Sequence, residues 1–352
     1  MKTIPVNTAR AYEILVGRGL FAQAGGLCRQ VNRGERALIV TDSHVGPLYA
    51  AVLQRTLEEA GYTTGTFVFA AGEQSKRLDT VSHMYARLAE DGFTRSDLIV
   101  ALGGGVTGDM AGFAAATWLR GIDFVQIPTS LLALVDSSVG GKTGVDVPAG
   151  KNLVGAFWQP ARVIADPDLL STLPPAFFTD GMAEVIKAAC IRDAALFAAL
   201  EAGRPLEGGR LEDVIARCIE IKRDVVERDE KEAGERKLLN FGHTWAHALE
   251  KYYQYRALTH GCAVAVGMAV VTAAGERHGL TAPGTAARVC RTLARWELPT
   301  ADPAPWRDVL PGAMNDKKRD GAQLDLVLLR EIGDGAIHRL PAAQLSDFLF
   351  AE

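Results

Sequence analysis

Residues 98–108 read Leu-Ile-Val-Ala-Leu-Gly-Gly-Gly-Val-Thr-Gly. Leu98–Leu102 is a short apolar run of strand type, and Gly103-Gly104-Gly105-Val106-Thr107-Gly108 satisfies G-x-G-x-x-G and opens a predicted helix from about Val106. Glycines at such a turn let the backbone approach a pyrophosphate, and the amides at a helix N-terminus face the anion. The string alone also describes a tight turn; the strand before it and the helix after it favour the anion site. A Rossmann turn is followed about 20 residues on by an acid at the end of the next strand. Here that strand, Phe124–Ile127, ends in Pro128-Thr129-Ser130. The turn therefore points to a dinucleotide or phosphate site of a different build.

Outward from this stretch, strand and helix signals alternate. Ala37–Thr41 is a strand ending at Asp42, Val45–Ala60 a helix closed by Gly61, Thr66–Ala70 a strand and Leu78–Glu90 a helix. Such alternation with short connections means a mostly parallel sheet covered by helices on both faces. After Asp166-Pro167 the pattern changes to long amphipathic stretches: Ala176–Glu201, Leu211–Asp229, Thr244–Tyr255, Cys262–His278 and Thr285–Trp296. Leu324–Leu329 with Ala336–Leu340 reads as a late hairpin. The expected architecture is an α/β N-terminal domain with a mostly parallel sheet over 1–170, and a mainly α-helical domain over 171–352. The length of 352 residues suits two domains at roughly 100–200 residues each.

Composition is that of an ordinary globular chain, 48% hydrophobic and 23% charged, which excludes whole-chain disorder and collagen. Net charge is −4, so no general attraction to nucleic acid or anionic membrane follows. The N-terminal stretch lacks the apolar core of a signal peptide. The longest apolar run, near Gly261–Gly275, is short of a membrane span and reads as a buried helix. The 5 cysteines share no C-x-x-C spacing and fit neither a disulfide framework nor a zinc knuckle, which points to a reduced cytoplasm.

Three further groups carry chemistry. Gly141-Lys142-Thr143 resembles the end of a P-loop, but the first position of that pattern is Asp136, and a carboxylate at the mouth of a phosphate nest opposes a nucleoside triphosphate. Asp136, Lys142, Lys151 and Asn152, with Gly140, Gly141 and Gly150 beside the lysines, read instead as an anion cradle or a solvated loop. His243 and His247 are spaced i, i+4 on one helical face, and His260 follows. With Glu184 as the carboxylate they suit a zinc site of three protein ligands and one open position. Capping or surface histidines are the alternative, and the spacing does not assign the ligands. Lys187, three residues after Glu184, and Lys222, Arg236 and Asn240 suit an anionic, polyhydroxylated substrate, since Arg offers a planar fork and Lys a point charge.

These residues resemble the 3-dehydroquinate synthase family. The matching strings are AGEQSK (71–76), ALGGGVTGDMAGFAAA (101–116), QIPTSLLALVDSSVGGKTGV (126–145), GKNLVGAFWQP (150–160), GMAEVIK (181–187), LLNFGHTWAHALEKYY (238–253) and NDKK (315–318). The resemblance implies a cytoplasmic homodimer, an NAD-binding α/β domain and a helical metal-binding domain of dehydroquinate synthase-like fold. It implies Glu184, His243 and His260 as ligands of Zn²⁺, with Co²⁺ the alternative ion, and His247 as an active-site histidine. It implies cofactor contacts at Asp42, Glu73, Lys76, Gly104, Gly105, Val106, Asp109, Thr129, Ser130, Lys142, Lys151 and Thr172. Asp136, Lys142, Lys187, Lys222, Arg236 and Asn240, with Lys151 and Asn152, match the catalytic and substrate-binding set. Arg120 matches an arginine that reaches the neighbouring subunit's site, and one lysine of Lys317-Lys318, taken as Lys318, joins the site. One departure stands out: the family usually reads His-Gly-Glu where this chain has His260-Gly261-Cys262. Loss of that Glu removes a carboxylate beside the metal, or Cys262 is a small buried residue in a repacked site, the reading preferred here.

The implied substrate is 3-deoxy-D-arabino-heptulosonate 7-phosphate, a sugar-acid phosphate, and the implied products are 3-dehydroquinate and phosphate, in the shikimate pathway of aromatic amino acid biosynthesis. NAD⁺ oxidises the C5 hydroxyl, which acidifies the neighbouring proton. Phosphate leaves, the hydride returns, and ring opening with an intramolecular aldol closes the carbocycle. NAD is regenerated, so the implied enzyme is a lyase. Another sugar phosphate cyclase is the nearest rival, and Arg236 and Asn240 favour a substrate with a carboxylate. A polyol dehydrogenase would not need the lysine set, and a non-catalytic scaffold would not need the ligand set.

Overall fold

A computed structural model of the chain describes residues 1–203, 209–314, 319–320 and 323–351. It divides into two units, Met1–Pro174 with Leu211–Arg223, and Pro175–Arg210 with Asp224–Glu352.

The first unit is built on β1 (Lys2–Val6), β2 (Tyr12–Val16), β3 (Arg36–Asp42), β4 (Thr63–Phe69), β5 (Leu98–Gly103), β6 (Asp123–Pro128), a hairpin of β7 (Lys142–Val147) and β8 (Gly150–Phe157), and β9 (Arg162–Ala165). Its helices are α1 (Ala24–Val31), α2 (Gly46–Glu59), α3 (Leu78–Glu90) and α4 (Gly105–Thr117). Seven strands form one sheet in the order β1-β2-β9-β6-β5-β3-β4, parallel throughout except where β1 meets β2. All six residues of β5 are buried, as a parallel strand covered on both faces requires. Its side chains alternate. Leu98, Val100 and Leu102 join Leu27 of α1 and Leu53 and Leu57 of α2, while Ile99 and Ala101 join Val81, Met84 and Leu88 of α3 and Met110, Ala111 and Ala114 of α4. Each large side chain so buried contributes about 1.5–3 kcal/mol.

This topology positions a site. From β3 the chain goes outward to β4 and then returns to β5 on the other side of β3, so the strand order reverses between β3 and β5. Ligands of open α/β sheets bind at such a switch point, beyond the carboxyl ends of the strands. Asp42 ends β3 and Gly103 ends β5. The expected strand over Thr66–Ala70 begins and ends earlier, at Thr63–Phe69, and the helix expected from Val106 starts at Gly105. Lys142-Thr143 opens a strand, whereas a P-loop lysine opens a helix, which agrees with the rejection of that motif.

The second unit holds α5 (Pro175–Arg192) and α6 (Ala194–Glu201), part of α7 (Arg210–Arg228), then α8 (His243–Tyr252), α9 (His260–Arg277), α10 (Thr285–Arg295), α11 (Trp306–Met314), strands β10 (Arg319–Asp320), β11 (Gln323–Glu331) and β12 (Asp334–Pro341), and α12 (Leu345–Phe350). The single stretch expected over Ala176–Glu201 is two helices, because the Asp193 carboxylate accepts from the Leu196 amide at 2.9 Å and starts α6. The apolar run near Gly261–Gly275 is the buried helix α9, and no helix among the described residues is long and apolar enough to cross a membrane. Its glycines are used for contact: a Cβ on Gly267 would lie 2.0 Å from the Gly242 carbonyl oxygen of the segment leading into α8. The expected hairpin is present, with Leu324 opposite Leu340 and Asp325 opposite Arg339.

Asp325 ties this hairpin to the segment before α8. Its carboxylate accepts from Arg339 Nε at 2.7 Å and Nη2 at 2.9 Å, and from Lys237 Nζ at 2.7 Å. Hydrogen bonds from Arg339 outweigh the effect of burial and, with Lys237, hold the carboxyl at about 2 instead of 3.8. The group is depressed in the folded state, so its stabilisation is complete above pH 4 and is lost as pH falls through about 2. Asp325→Asn is expected to cost about 2 kcal/mol in denaturant unfolding at neutral pH. The deficit relative to wild type should shrink in acid-unfolding measurements as pH falls from about 4 toward 2.

Candidate functional site

In the first unit the glycine turn lies at the switch point. Gly104 is the N-cap of α4, with no side-chain cap and no acidic residue in the first turn, Gly105-Val106-Thr107. Such an uncapped helix start attracts an anion. The glycines differ in why they are glycine. A Cβ on Gly103 would fall 2.3 Å from Thr107 Oγ1, and one on Gly108 would fall 2.5 Å from Gln126 Oε1, so internal packing excludes side chains there. A Cβ on Gly104 meets nothing nearer than Ser130 Oγ at 3.4 Å. The fold itself does not demand glycine at 104; a group lying over the turn would. Thr129 is buried, and its amide donates to the Gly103 carbonyl at 3.0 Å, closing the far wall.

A charged network stands beside the turn. Lys76, 4% exposed, donates from Nζ to Asp109 Oδ2 and to Asn152 Oδ1, each at 2.6 Å. Burial opposes the Lys76 charge, but Asp109, Glu73 and Asp146 outweigh it and hold its pKa above the usual value. Burial pushes the Asp109 carboxyl up, with Lys76 acting against it. Lys151 Nζ lies 3.2 Å from Glu73 Oε1. Asn152 adopts φ 52° on β8 and donates its amide to Asp146 Oδ1 at 2.8 Å. On a π-turn over Ala133–Ser137, the Asp136 carboxylate pairs with Lys222, whose Nζ also donates to the Asp136 carbonyl at 2.7 Å. Asp42 Oδ1 accepts from the amides of His44 and Val45 at 2.8 and 2.9 Å, starting α2. Thr172 Oγ1 is 2.6 Å from the Tyr49 hydroxyl. Lys142 is exposed at the start of β7. Arg120 is exposed on the turn after α4, where Leu119 and Arg120 both have left-handed backbones at φ 49° and 70°.

In the second unit α5, α8 and α9 bring Glu184, His243 and His260 together, with their ligand atoms all within 4.8 Å of one another. Glu184 is 1% exposed, and neither of its carboxylate oxygens has a well-formed hydrogen bond; the Lys187 ammonium lies against Oε2 as an ion pair. His243 Nε2 is 3.6 Å and His260 Nε2 3.3 Å from Glu184 Oε1. Tetrahedral ligands at the usual zinc distances stand about 3.4 Å apart, so these separations suit a shared ion. The His243 Nδ1 lies 3.1 Å from the Phe241 carbonyl, an arrangement in which Nδ1 donates and Nε2 keeps its lone pair for a metal. Burial opposes a charge on His260, but the Glu184 and Glu250 carboxylates beside its two ring nitrogens raise its pKa to about 10. The local field therefore favours positive charge at this point. His247 is half-buried, its ring edge-on to His243 at 5.5 Å, outside the ligand trio.

Arg236 and Asn240 sit on the 3-10 turn before α8. Arg236 is 1% exposed, with Nη1 donating to the Glu230 carbonyl; Asn240 Nδ2 donates to Glu232 Oε1 at 3.0 Å. Lys317 and Lys318 lie outside the described residues. Glu250 was missed: it is 3% exposed, and its Oε1 is 3.4 Å from His260 Nδ1. Its place seven residues after His243 and three after His247, on the same helical face, was the available signal. Cys262 is half-buried rather than enclosed, and Glu250 supplies the carboxylate on His260.

Known proteins resemble this chain over its whole length. Residues 66–180 match the family model for the 3-dehydroquinate synthase N-terminal region, and residues 181–319 that for the C-terminal region. The 3-dehydroquinate synthase of Clostridium acetobutylicum is 44% identical over 99% of both chains, and that of Streptococcus suis 44% identical over 96% of both. Among solved structures, 2-deoxy-scyllo-inosose synthase complexed with carbaglucose-6-phosphate, NAD⁺ and Co²⁺ superimposes with a TM-score of 0.89 at 25% identity, covering 99% of each chain. The 2-epi-5-epi-valiolone synthase of Streptomyces hygroscopicus subsp. jinggangensis, with NAD⁺ and Zn²⁺ bound, gives 0.87 at 27% identity over 98% of each.

The two glycines make separable expectations. Gly103→Ala should lower unfolding free energy by about 1–3 kcal/mol, because the methyl group collides with Thr107. Gly104→Ala should stay within about 0.5 kcal/mol of wild type. Denaturant melts of both variants check this, and equal losses would contradict the packing account.

Proposed function

The chain belongs to the 3-dehydroquinate synthase family, and on that premise we propose that it converts 3-deoxy-D-arabino-heptulosonate 7-phosphate to 3-dehydroquinate and phosphate in the shikimate pathway. The observation that carries the chemistry is the buried Glu184–His243–His260 trio in a chain that also holds an uncapped glycine turn at a sheet switch point. The residues that would hold NAD are Asp42, Glu73, Lys76, Gly104, Gly105, Val106, Asp109, Thr129, Ser130, Lys142, Lys151 and Thr172. Those that would hold Zn²⁺ or Co²⁺ are Glu184, His243 and His260. When bound, the two groups supply reversible hydride transfer and Lewis acidity.

The chain's own residues do the rest. Lys142, Lys151, Lys187 and Lys222 offer positive charge to the phosphate as it leaves, and Asn152 and Asp136 offer hydrogen bonds to hydroxyls. His247 holds or passes a proton. Arg236 presents a planar fork to the substrate carboxylate. Much of the catalytic work is conformational: a flexible open-chain intermediate is held in the one arrangement that closes the ring. The division of roles follows the two sequence segments, 1–170 for the cofactor and 171–352 for the metal. We place the enzyme in the cytoplasm as a homodimer, with the exposed, left-handed Arg120 turn directed at a second copy.

Purified protein supplied with the heptulosonate phosphate, NAD⁺ and zinc should release phosphate and form 3-dehydroquinate without accumulating NADH. Accumulating NADH would indicate a dehydrogenase. Arg236→Lys should lower kcat/KM roughly tenfold to a hundredfold, since one charge-assisted hydrogen bond contributes about 1.5–3 kcal/mol. On an analogue lacking the carboxylate, wild type and variant should turn over about equally poorly. An equal defect on both substrates would reassign Arg236 to the fold and reopen the choice among sugar phosphate cyclases.

A further inference from the structure

Helix α9 begins at His260, and its N-cap residue, Thr259, makes no side-chain cap to the amides of the first turn. Left so, those amides would be buried donors without acceptors, each costing about 1–3 kcal/mol. They are satisfied from another helix. Asp180 of α5, 8% exposed, accepts on Oδ1 from the Gly261 amide at 2.7 Å and from the Cys262 amide at 3.3 Å. Its negative charge also stands at the positive end of the α9 dipole.

The approach needed for this cap is very close. A Cβ on Gly261 would lie 2.0 Å from the Asp180 carbonyl oxygen, so any other residue at 261 would drive α9 away from α5. The tie falls beside two of the candidate ligands. Glu184 stands one turn after Asp180 on the same face of α5. His260 is the residue immediately before the two capped amides. A carboxylate that locks the start of α9 onto α5 thereby fixes the separation of Glu184 Oε1 and His260 Nε2, observed at 3.3 Å.

We propose that Asp180 is a positioning residue of the metal centre: by capping α9 from α5 it sets the register that holds His260 against Glu184. This rests on the metal reading of Glu184, His243 and His260. Partners that orient metal ligands without touching the ion typically change metal affinity by 10- to 100-fold. Loss of the Asp180 cap lets the first turn of α9 fray, so the site must spend binding energy on ordering His260.

The test is zinc affinity, read by competition with a chromophoric chelator, together with the melting temperature of the metal-free protein. Asp180→Ala should raise the zinc Kd by about 10- to 100-fold. Asp180→Asn, whose side-chain oxygen can accept the same two hydrogen bonds, should restore most of the affinity. Should the alanine variant fail to fold, Asp180→Ser, polar but too short to reach the amides, takes its place with the same expectation. A lower melting temperature with unchanged zinc affinity in the folded Ala or Ser variant would overturn the proposal, as would an Asn variant as weak as Ala. His243→Ala in the same assay separates the two readings. If it binds zinc like wild type, the metal centre itself is misassigned and the positioning role falls with it. If it loses zinc while Asp180→Ala keeps it, only the positioning role falls.

Discussion

A carboxylate at 1% exposure cannot remain charged without positive charge beside it, and the second unit is arranged around meeting that demand for Glu184. Lys187 of the same helix meets it with an ammonium, and His243 of α8 and His260 of α9 turn ring nitrogens toward it. Helices can bring such groups within 4 Å of one carboxylate only where their backbones approach closely. The small residues along α9 answer to that. Gly261 lies against the Asp180 carbonyl and Gly267 against that of Gly242, each with no room for a methyl group. A helix that by composition reads as a buried apolar run is thus a packing device for a polar centre.

Each imidazole is in turn held from behind. His243 leans on the Phe241 carbonyl, and His260 on Glu250, which is itself buried. These contacts set which ring nitrogen faces Glu184. The carboxylate partner of His260 comes from α8, along the helix from His243 and His247.

The first unit presents uncapped backbone amides at the start of α4, with partial charges only. The glycines of that turn divide into those excluded from carrying side chains by Thr107 and Gln126 and one, Gly104, left open. The full charges nearby are paired. Lys76 meets Asp109 and Asn152, Lys151 meets Glu73, and Lys222 meets Asp136. Pairing offsets part of the desolvation cost of holding these lysines in place.

Much was legible in the chain itself. Apolar runs such as Leu98–Leu102 have strand character because a parallel sheet buries both faces of a strand, and the glycine turn after it opens α4 at the switch point of the sheet. The i, i+4 pair His243 and His247 announced a site, because helical geometry places them on one face. Local spacing could not decide which of them joins Glu184, nor that Ala176–Glu201 breaks at Asp193, nor that four-residue β9 enters the sheet between β2 and β6. Those outcomes depend on contacts between residues distant in sequence. His260, not His247, joins Glu184 because α9 docks on α5, and Asp180 and Glu250 matter only once three helices have met. Periodicity along one element is a property of the chain; the distance between two elements is set by how their side chains pack, and that belongs to the tertiary structure alone.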